Sequence, residues 1–293
     1  MYTNLFKLSD PIRAVFAPLG LVLLALVVIL TPANHAQAAE RADVARFLEV
    51  TGFDVALESM GLGAKKAPEM LGRDPGDFGI MWNRVVEDVM RPAEIVATAT
   101  DMLEQTLNQE MLDHALDFYG SALGQQVVRV ENASHMIEDE ASKSEAGQEI
   151  VSALVRVGAE GSARLDYLRR MNNAVDSDGM SLRAVQEIQI RFLLTAAAHG
   201  VIALQMDEKD MRAFFRQQET QTRAAIMANA MANAAYTYQS LSDEELRQYT
   251  EALEAPQMQE VYRLVNAIQF EITAHRYEIL AARMADLRPS EEL

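Results

Sequence analysis

The stretch from Pro256 to about Leu287 carries the longest unbroken amphipathic pattern in the chain. Val261, Val265, Ile268, Ile272, His275 and Ile279 follow one another at alternating spacings of four and three. At 3.6 residues per turn all six share one face, and a helix with such a face has to lie along other helices. The middle of the 182–199 segment is apolar nearly all round (Ile190, Phe192, Leu193, Leu194, Ala196, Ala197, Ala198), as the centre of a bundle requires. Helix formers dominate elsewhere, aromatic residues make up 6%, and no run of alternating β-branched residues is bounded by turn pairs. The expected fold class is all-α, a multi-helix bundle.

The N-terminus is of another kind. Lys7 and Arg13 precede an uncharged apolar run, Ala14 to Leu30, followed by a polar stretch and then Ala36-Gln37-Ala38. A basic start, an apolar core and a small-x-small site are the order of a secretory signal peptide, so residues 1–38 are expected to be cleaved after Ala38 and the rest exported, as to a periplasm. The alternative is an inner-membrane anchor formed by residues 14–30, a run at the short edge of what crosses a bilayer. Once the segment is cleaved, no stable membrane insertion is expected. There are no cysteines, which excludes a lipoprotein anchor, disulfides, thiolate zinc sites and thiol catalysis. A net charge of −17 argues against nucleic acid as a partner, because phosphate binding needs Lys and Arg.

Caps and breakers divide the remainder. A first helix is expected over residues 40–60, then an irregular stretch from Ala64 to Asp77, and a helix from about Phe78 to Met90. Pro92 opens the next, Asn108 caps one that runs to Tyr119, and Gly120-Ser121 breaks before a helix from about Ala122 to Ala141. The second half reads as longer helices: Glu145 to Val175, Ser181 to His199, Asp207 to about Tyr238, one opened by a Ser242/Glu245 capping box, and the last from Pro256. The expected organisation is an N-terminal helical half, 39–143, and a C-terminal half with long helices, 144–293.

The halves look related. Residues 107–137 align with 241–271 at a constant offset of 134: Leu107-Asn108-Gln109-Glu110-Met111-Leu112 against Leu241-Ser242-Asp243-Glu244-Glu245-Leu246. Further on, Gln125, Val127, Arg129, Asn132 and Ala133 match Gln259, Val261, Arg263, Asn266 and Ala267. Each copy is a capped short helix, a break and a longer amphipathic helix.

Within the first copy, Asp117-Phe118-Tyr119-Gly120-Ser121-Ala122-Leu123-Gly124-Gln125-Gln126 resembles the "FY.T..G.K" signature of an exported bacterial family, domain of unknown function 2059. The second copy departs from it, with Ala252-Leu253 for the aromatic pair, Pro256 at the break and Met258 for the glycine. The resemblance implies an exported helical protein and implies no reaction. From the residues alone the motif is structural. Phe118 and Tyr119 end a helix and wedge it against the next, Gly120 permits a backbone conformation other residues avoid, and Gly124, followed by Gln125, allows close helix approach.

Candidate chemistry is thin. Glu271, His275 and Glu278 lie within two helical turns and form the weak metal candidate, against which stands a buried, hydrogen-bonded histidine on the packing stripe. Asp113, His114 and Asp117 read as a solvated face. Met227 and Met231, one turn apart, are the thioether pair that copper would use, but methionine is also an ordinary core filler. Nucleophile elbows, zincin motifs and phosphate loops are absent from the sequence. The alanine-rich Ala224–Ala235 segment, with Asn229 and Asn233 one turn apart, suits a core helix or a self-association surface.

The sequence therefore predicts an exported, non-enzymatic helical protein, with no cofactor, that binds an unidentified protein or itself. The alternatives are an enzyme or metal-handling protein with a site between helices, and a holdase-like chaperone. N-terminal sequencing of the native protein is expected to begin at Ala39; intact Met1 in the membrane fraction would establish the anchor instead.

Overall fold

The longest helix expected from the sequence forms at its expected start and organises the others. The computed structural model describes residues 39–287; the signal segment and the alternative anchor over residues 14–30 lie outside them. The described chain runs α1 (Arg41–Thr51), α2 (Phe53–Ala64), α3 (Gly79–Val89), α4 (Pro92–Thr106), α5 (Gln109–Tyr119), α6 (Ala122–His135) and α7 (Glu140–Val157). It continues with α8 (Ala159–Val175), α9 (Met180–Ala198), α10 (Glu208–Gln217), α11 (Glu219–Thr237), α12 (Asp243–Leu253) and α13 (Pro256–Arg283). Short 3₁₀ turns occupy Ala67–Leu71, Pro75–Phe78 and Met284–Leu287, and no strand forms among the described residues. The fold is all-α, and no helix among the described residues is long and apolar enough to cross a membrane.

The 28-residue α13 packs against α2, α3, α4, α5, α8, α9 and α12. It buries Val261, Val265, Ile268 and Ile272 as the stripe predicts, and then Ala274, Leu280 and Ala281. His275 is not buried: its side chain is 65% exposed. His275 lies at the edge of the stripe, about 40° round the helix from Val261, and beyond Ile272 α13 buries a different face, with Ala274, Leu280 and Ala281. Along α13 lies α9, the segment apolar nearly all round, which buries Leu182, Ala184, Ile190, Phe192 and Ala196. Arg276 donates to Val89 O at 3.0 Å and ties α13 to the end of α3. Arg164 of α8 donates to Tyr238 O at 2.8 Å and Leu241 O at 2.9 Å, fixing the turn between α11 and α12.

Start signals hold closely. Asn108 accepts from Met111 N at 2.9 Å, Ser242 and Glu245 make the reciprocal capping box, and Pro92 and Pro256 open α4 and α13. Three expected helices are each two. The 40–60 helix breaks at Gly52, the 145–175 helix at Gly158 and the 207–238 helix at Gln218. Both glycines have positive φ, 71° and 77°, so a left-handed turn reverses the chain inside a pattern that still reads as amphipathic. The helix expected from Ala122 to Ala141 stops at His135, and α7 begins at Glu140, capped by Asp139. Ser181 is not the cap of α9: Gly179 holds that position, and Ser181 N donates to Asp176 at 3.1 Å.

The two aligned stretches bury the same positions. Leu107 and Leu241, Leu112 and Leu246, Tyr119 and Leu253, and Val127 and Val261 are all buried. The departures from this agreement define the site described below.

Glycines mark where backbones touch. Gly120 is in ordinary right-handed conformation, φ −74° and ψ −13°, which corrects the expectation of an unusual backbone there; what it lacks is room, since a Cβ would lie 2.7 Å from Leu116 O. Gly124 is tighter: a Cβ would meet Phe118 O at 2.2 Å and Tyr119 Cα at 2.5 Å. A Cβ on Gly147 of α7 would lie 2.2 Å from Ala232 O, so the C-terminal half of the alanine-rich α11 is packed backbone to backbone, while Ala228 and Asn229 stay exposed.

These contacts order three substitutions. At Gly52 a Cβ would carry positive-φ strain and meet Asn132 Oδ1 at 2.4 Å, whereas at Gly72, φ 67°, it would meet nothing within 4 Å. Gly72→Ala is expected to cost about 1–2 kcal/mol. Gly52→Ala and Gly124→Ala are expected to cost roughly 2–4 kcal/mol, adding or substituting an overpacking cost. Urea midpoints check the order; equal shifts for Gly52→Ala and Gly72→Ala would contradict the close α2–α6 approach.

Candidate functional site

A cavity of about 580 Å³ opens among α1, α6, α8, α11, α12 and α13. Its volume falls in the range of small-molecule sites. On its wall is a carboxylate of α6, Glu131, at a position aligned with an apolar residue of the 241–271 stretch. Glu131 corresponds to Val265, buried on the α13 stripe, and Ser134 corresponds to Ile268. The face of α6 that would close the core is thus polar.

Four tyrosines surround Glu131. The Tyr238 hydroxyl donates to Oε1 at 2.6 Å and the Tyr249 hydroxyl to the same oxygen at 2.7 Å. Tyr249 is also 3.3 Å from the hydroxyls of both Tyr119 and Tyr262, and Tyr119 and Tyr262 share a short hydrogen bond. Glu131 Oε2 accepts no hydrogen bond from the protein. No buried side-chain oxygen lacks a partner among the described residues, so Oε2 keeps accessible surface, and Glu131 lines the cavity. Glu131 has no ion-pair partner among the described residues, and burial raises its carboxyl above the usual range, opposed by the hydrogen bonds from Tyr238 and Tyr249. Burial, with the Glu131 charge contributing, pushes the hydroxyls of Tyr119, Tyr238, Tyr249 and Tyr262 upward as well.

Around this floor the wall offers amides. Asn132, Asn172, Asn233 and Gln269 line the cavity half-buried, and their side chains make no hydrogen bond to the protein. Asn266 differs, donating to Val175 O at 2.9 Å. The lining cations are engaged: Lys143 with Glu140 at 3.2 Å, Arg223 with Glu219 at 3.0 Å and Arg169 with Asp166. Apolar surface comes from Phe47, Phe53, Met227 and Met231. The thioether pair is therefore part of this wall.

The aromatic motif serves the same place. Phe118 stacks on Tyr249, centroids 5.6 Å apart and planes 7° from parallel, and Tyr119 joins the hydroxyl cluster. The pair thus wedges α5 against α12 and α13 of the second copy, where the expected neighbour was the following helix. Gln125 donates to Tyr119 O at 2.7 Å and Val50 O at 3.2 Å, satisfying the carbonyl ends of α5 and α1.

The metal candidates resolve otherwise. Arg191 bonds both Glu271 at 3.2 Å and Glu278 at 2.5 Å, and His275 stands off at 3.9 Å from Glu278. Among the described residues no three His, Asp or Glu side chains group so as to hold a metal. Asp113 and Asp117 are exposed, and Asp113 accepts from Gln109 at 2.8 Å.

The desolvated carboxylate has a pH signature. The folded chain holds the Glu131 proton more tightly than the unfolded chain does, so this group's contribution falls as pH rises from the ordinary carboxylate range through the raised value, and is lowest above it. Glu131→Gln removes the charge and keeps an acceptor for both phenols. Its melting temperature relative to the parent is expected to rise as pH increases from the ordinary carboxylate range and to level off above the raised value. A flat difference would show that the carboxylate is not desolvated. Glu131→Leu leaves the hydroxyls of Tyr238 and Tyr249 without their acceptor and is expected to cost about 1–3 kcal/mol.

No curated protein and no solved structure matches the chain. Residues 93–153 match the family described as "Uncharacterized protein conserved in bacteria (DUF2059)". That segment runs from α4 into α7 and holds both the Phe118-Tyr119 motif and Glu131. Over it, the chain resembles that bacterial family.

Proposed function

We propose that this is an exported binding protein, non-enzymatic and built from two related halves, 39–143 and 144–293, whose ligand occupies the cavity floored by Glu131. One observation carries the binding reading: a cavity of ligand size lined by half-buried amides and a carboxylate oxygen that the protein itself leaves without hydrogen bonds. Buried polar groups are nearly always satisfied, and a cavity that presents several open donors and acceptors at once is suited to a partner that supplies the complement.

The shared burial pattern at an offset of 134 supports the two-halves reading, and α13 is the element through which they meet. Export is supported at the start of the fold. Ala39 is buried, and its N–H donates to Leu107 O at 3.1 Å, at the end of α4. Arg41 binds Asp101 and Glu104 of α4, each at 2.6 Å. Cleavage after Ala38 turns the Ala39 nitrogen into an ammonium facing the negative end of a helix, a favourable position for a cation.

A thermal-shift screen of chemically diverse small molecules tests the binding reading. A ligand present at a hundred times its Kd stabilises by about 2.7 kcal/mol. Ligands that raise the melting temperature are expected, and Asn233→Trp, which puts a large ring on the cavity wall, is expected to abolish the shifts. Absence of any stabilising ligand, or shifts untouched by Asn233→Trp, would overturn the cavity as the functional site.

A further inference from the structure

We infer that the cavity takes a small organic amine, whose protonated nitrogen donates to Glu131 Oε2 while its other polar atoms meet the lining amides. The inference rests on the cavity being the binding site and adds the chemical class of the ligand.

Charge distribution selects the class. Two carboxylates line the cavity: Asp176 accepts from Ser181 N at 3.1 Å, whereas Glu131 sits among the tyrosines, with Oε1 occupied by two phenols and Oε2 open. None of the lining cations answers it, since Lys143, Arg169 and Arg223 each hold a carboxylate on their own helix or next to it. A carboxylate that is desolvated and hydrogen-bonded yet without a countercharge is matched by a ligand that brings one, and a charge-assisted N–H···O bond is the stronger kind. An anionic ligand would meet the Glu131 charge at close range in a medium of low polarity.

The rest of the wall narrows the class further. Asn132, Asn172, Asn233 and Gln269 each present both donors and an acceptor, suited to hydroxyls, amides or further amines. Phe47, Met227 and Met231 supply apolar surface for a hydrocarbon stem. A bare metal ion fits less well, because His135 and Asp176 also line the cavity but no group of three acids or imidazoles that could hold one forms among the described residues. The net charge of −17 raises the local concentration of cations near any opening.

The test uses three probes of similar length and different charge: cadaverine, pentane-1,5-diol and glutarate, with spermidine as a longer amine. Binding to the purified protein is followed by calorimetry at near-physiological salt, with tyrosine fluorescence as a second signal because four tyrosines ring the carboxylate. Cadaverine or spermidine is expected to bind at least tenfold more tightly than the diol, and glutarate not to bind. Glu131→Gln is expected to weaken the amine at least tenfold. Glu244→Gln, at an exposed carboxylate paired with Arg247, is expected to leave it unchanged and so removes general attraction to an acidic surface. Equal binding of amine and diol, binding of glutarate, or amine affinity indifferent to Glu131→Gln would overturn the inference. If Glu131→Gln does not fold, the ranking of the three probes on the parent protein decides. Stabilising ligands without an amine, found in the broader screen and lost in Asn233→Trp, would retain the cavity reading and overturn this one; no stabilising ligand of any class would overturn both.

Discussion

A 28-residue helix that is apolar on more than one face cannot be covered by a single partner. That constraint shapes the rest of the molecule. α13 meets seven other helices, drawn from both ends of the chain, so the short helices of the first half and the longer ones of the second share one core. Each fully buried Val, Leu or Ile contributes roughly 1.5–3 kcal/mol, and α13 brings a row of them. Close backbone approaches elsewhere seat helices on one another. Gly124 lets α6 turn tightly off α5, Gly52 lets α2 pass α6, and Gly147 seats α11 on α7.

The cavity coincides with a mismatch between the two stretches aligned at an offset of 134. In the second copy the stripe on α13 is apolar at 261, 265 and 268. In the first, the equivalent stripe on α6 is Val127, Glu131 and Ser134. Val127 packs as its counterpart does, and Ser134 is buried with its hydroxyl 2.7 Å from that of Thr237, but the Glu131 carboxylate cannot close an apolar core, and the space it faces is lined by tyrosines and amides. Aromatic positions shift in the same sense: Tyr249 stands where the first copy has Ala115, and Tyr119 where the second has Leu253. Both hydroxyls turn into the cluster around Glu131.

Local signals were legible in the sequence, and tertiary ones were not. Pro92, Asn108, Ser242 with Glu245, and Pro256 mark helix starts correctly because caps act within four residues of themselves. Gly52, Gly158 and Gln218 break helices whose flanks remain amphipathic across the break, so periodicity runs straight through them. His275 reads as a stripe residue until the change of buried face after Ile272 and the position of Arg191 are known. The site is not legible in the sequence because Glu131 on α6 and its partners Tyr238 and Tyr249 are more than a hundred residues apart. One clue was present: aligning the repeat at 134 sets Glu131 against Val265, an acid at a core position, and that substitution pattern is readable without coordinates.

Glu131 also works against the stability of the fold that holds it. A valine there, as at 265, would fill space, remove a desolvation cost and need no tyrosine hydroxyls to satisfy it. The carboxylate instead lies deep, raised above its ordinary titration range, without a cation from the protein, on a wall of amides equally without protein partners. Each of these features works against stability when the cavity is empty of a complementary group, and each turns favourable when one is supplied. Strain of this kind, confined to one wall of one cavity while the surrounding helices are capped and close-packed, is the arrangement expected of a binding site held rigid by its fold.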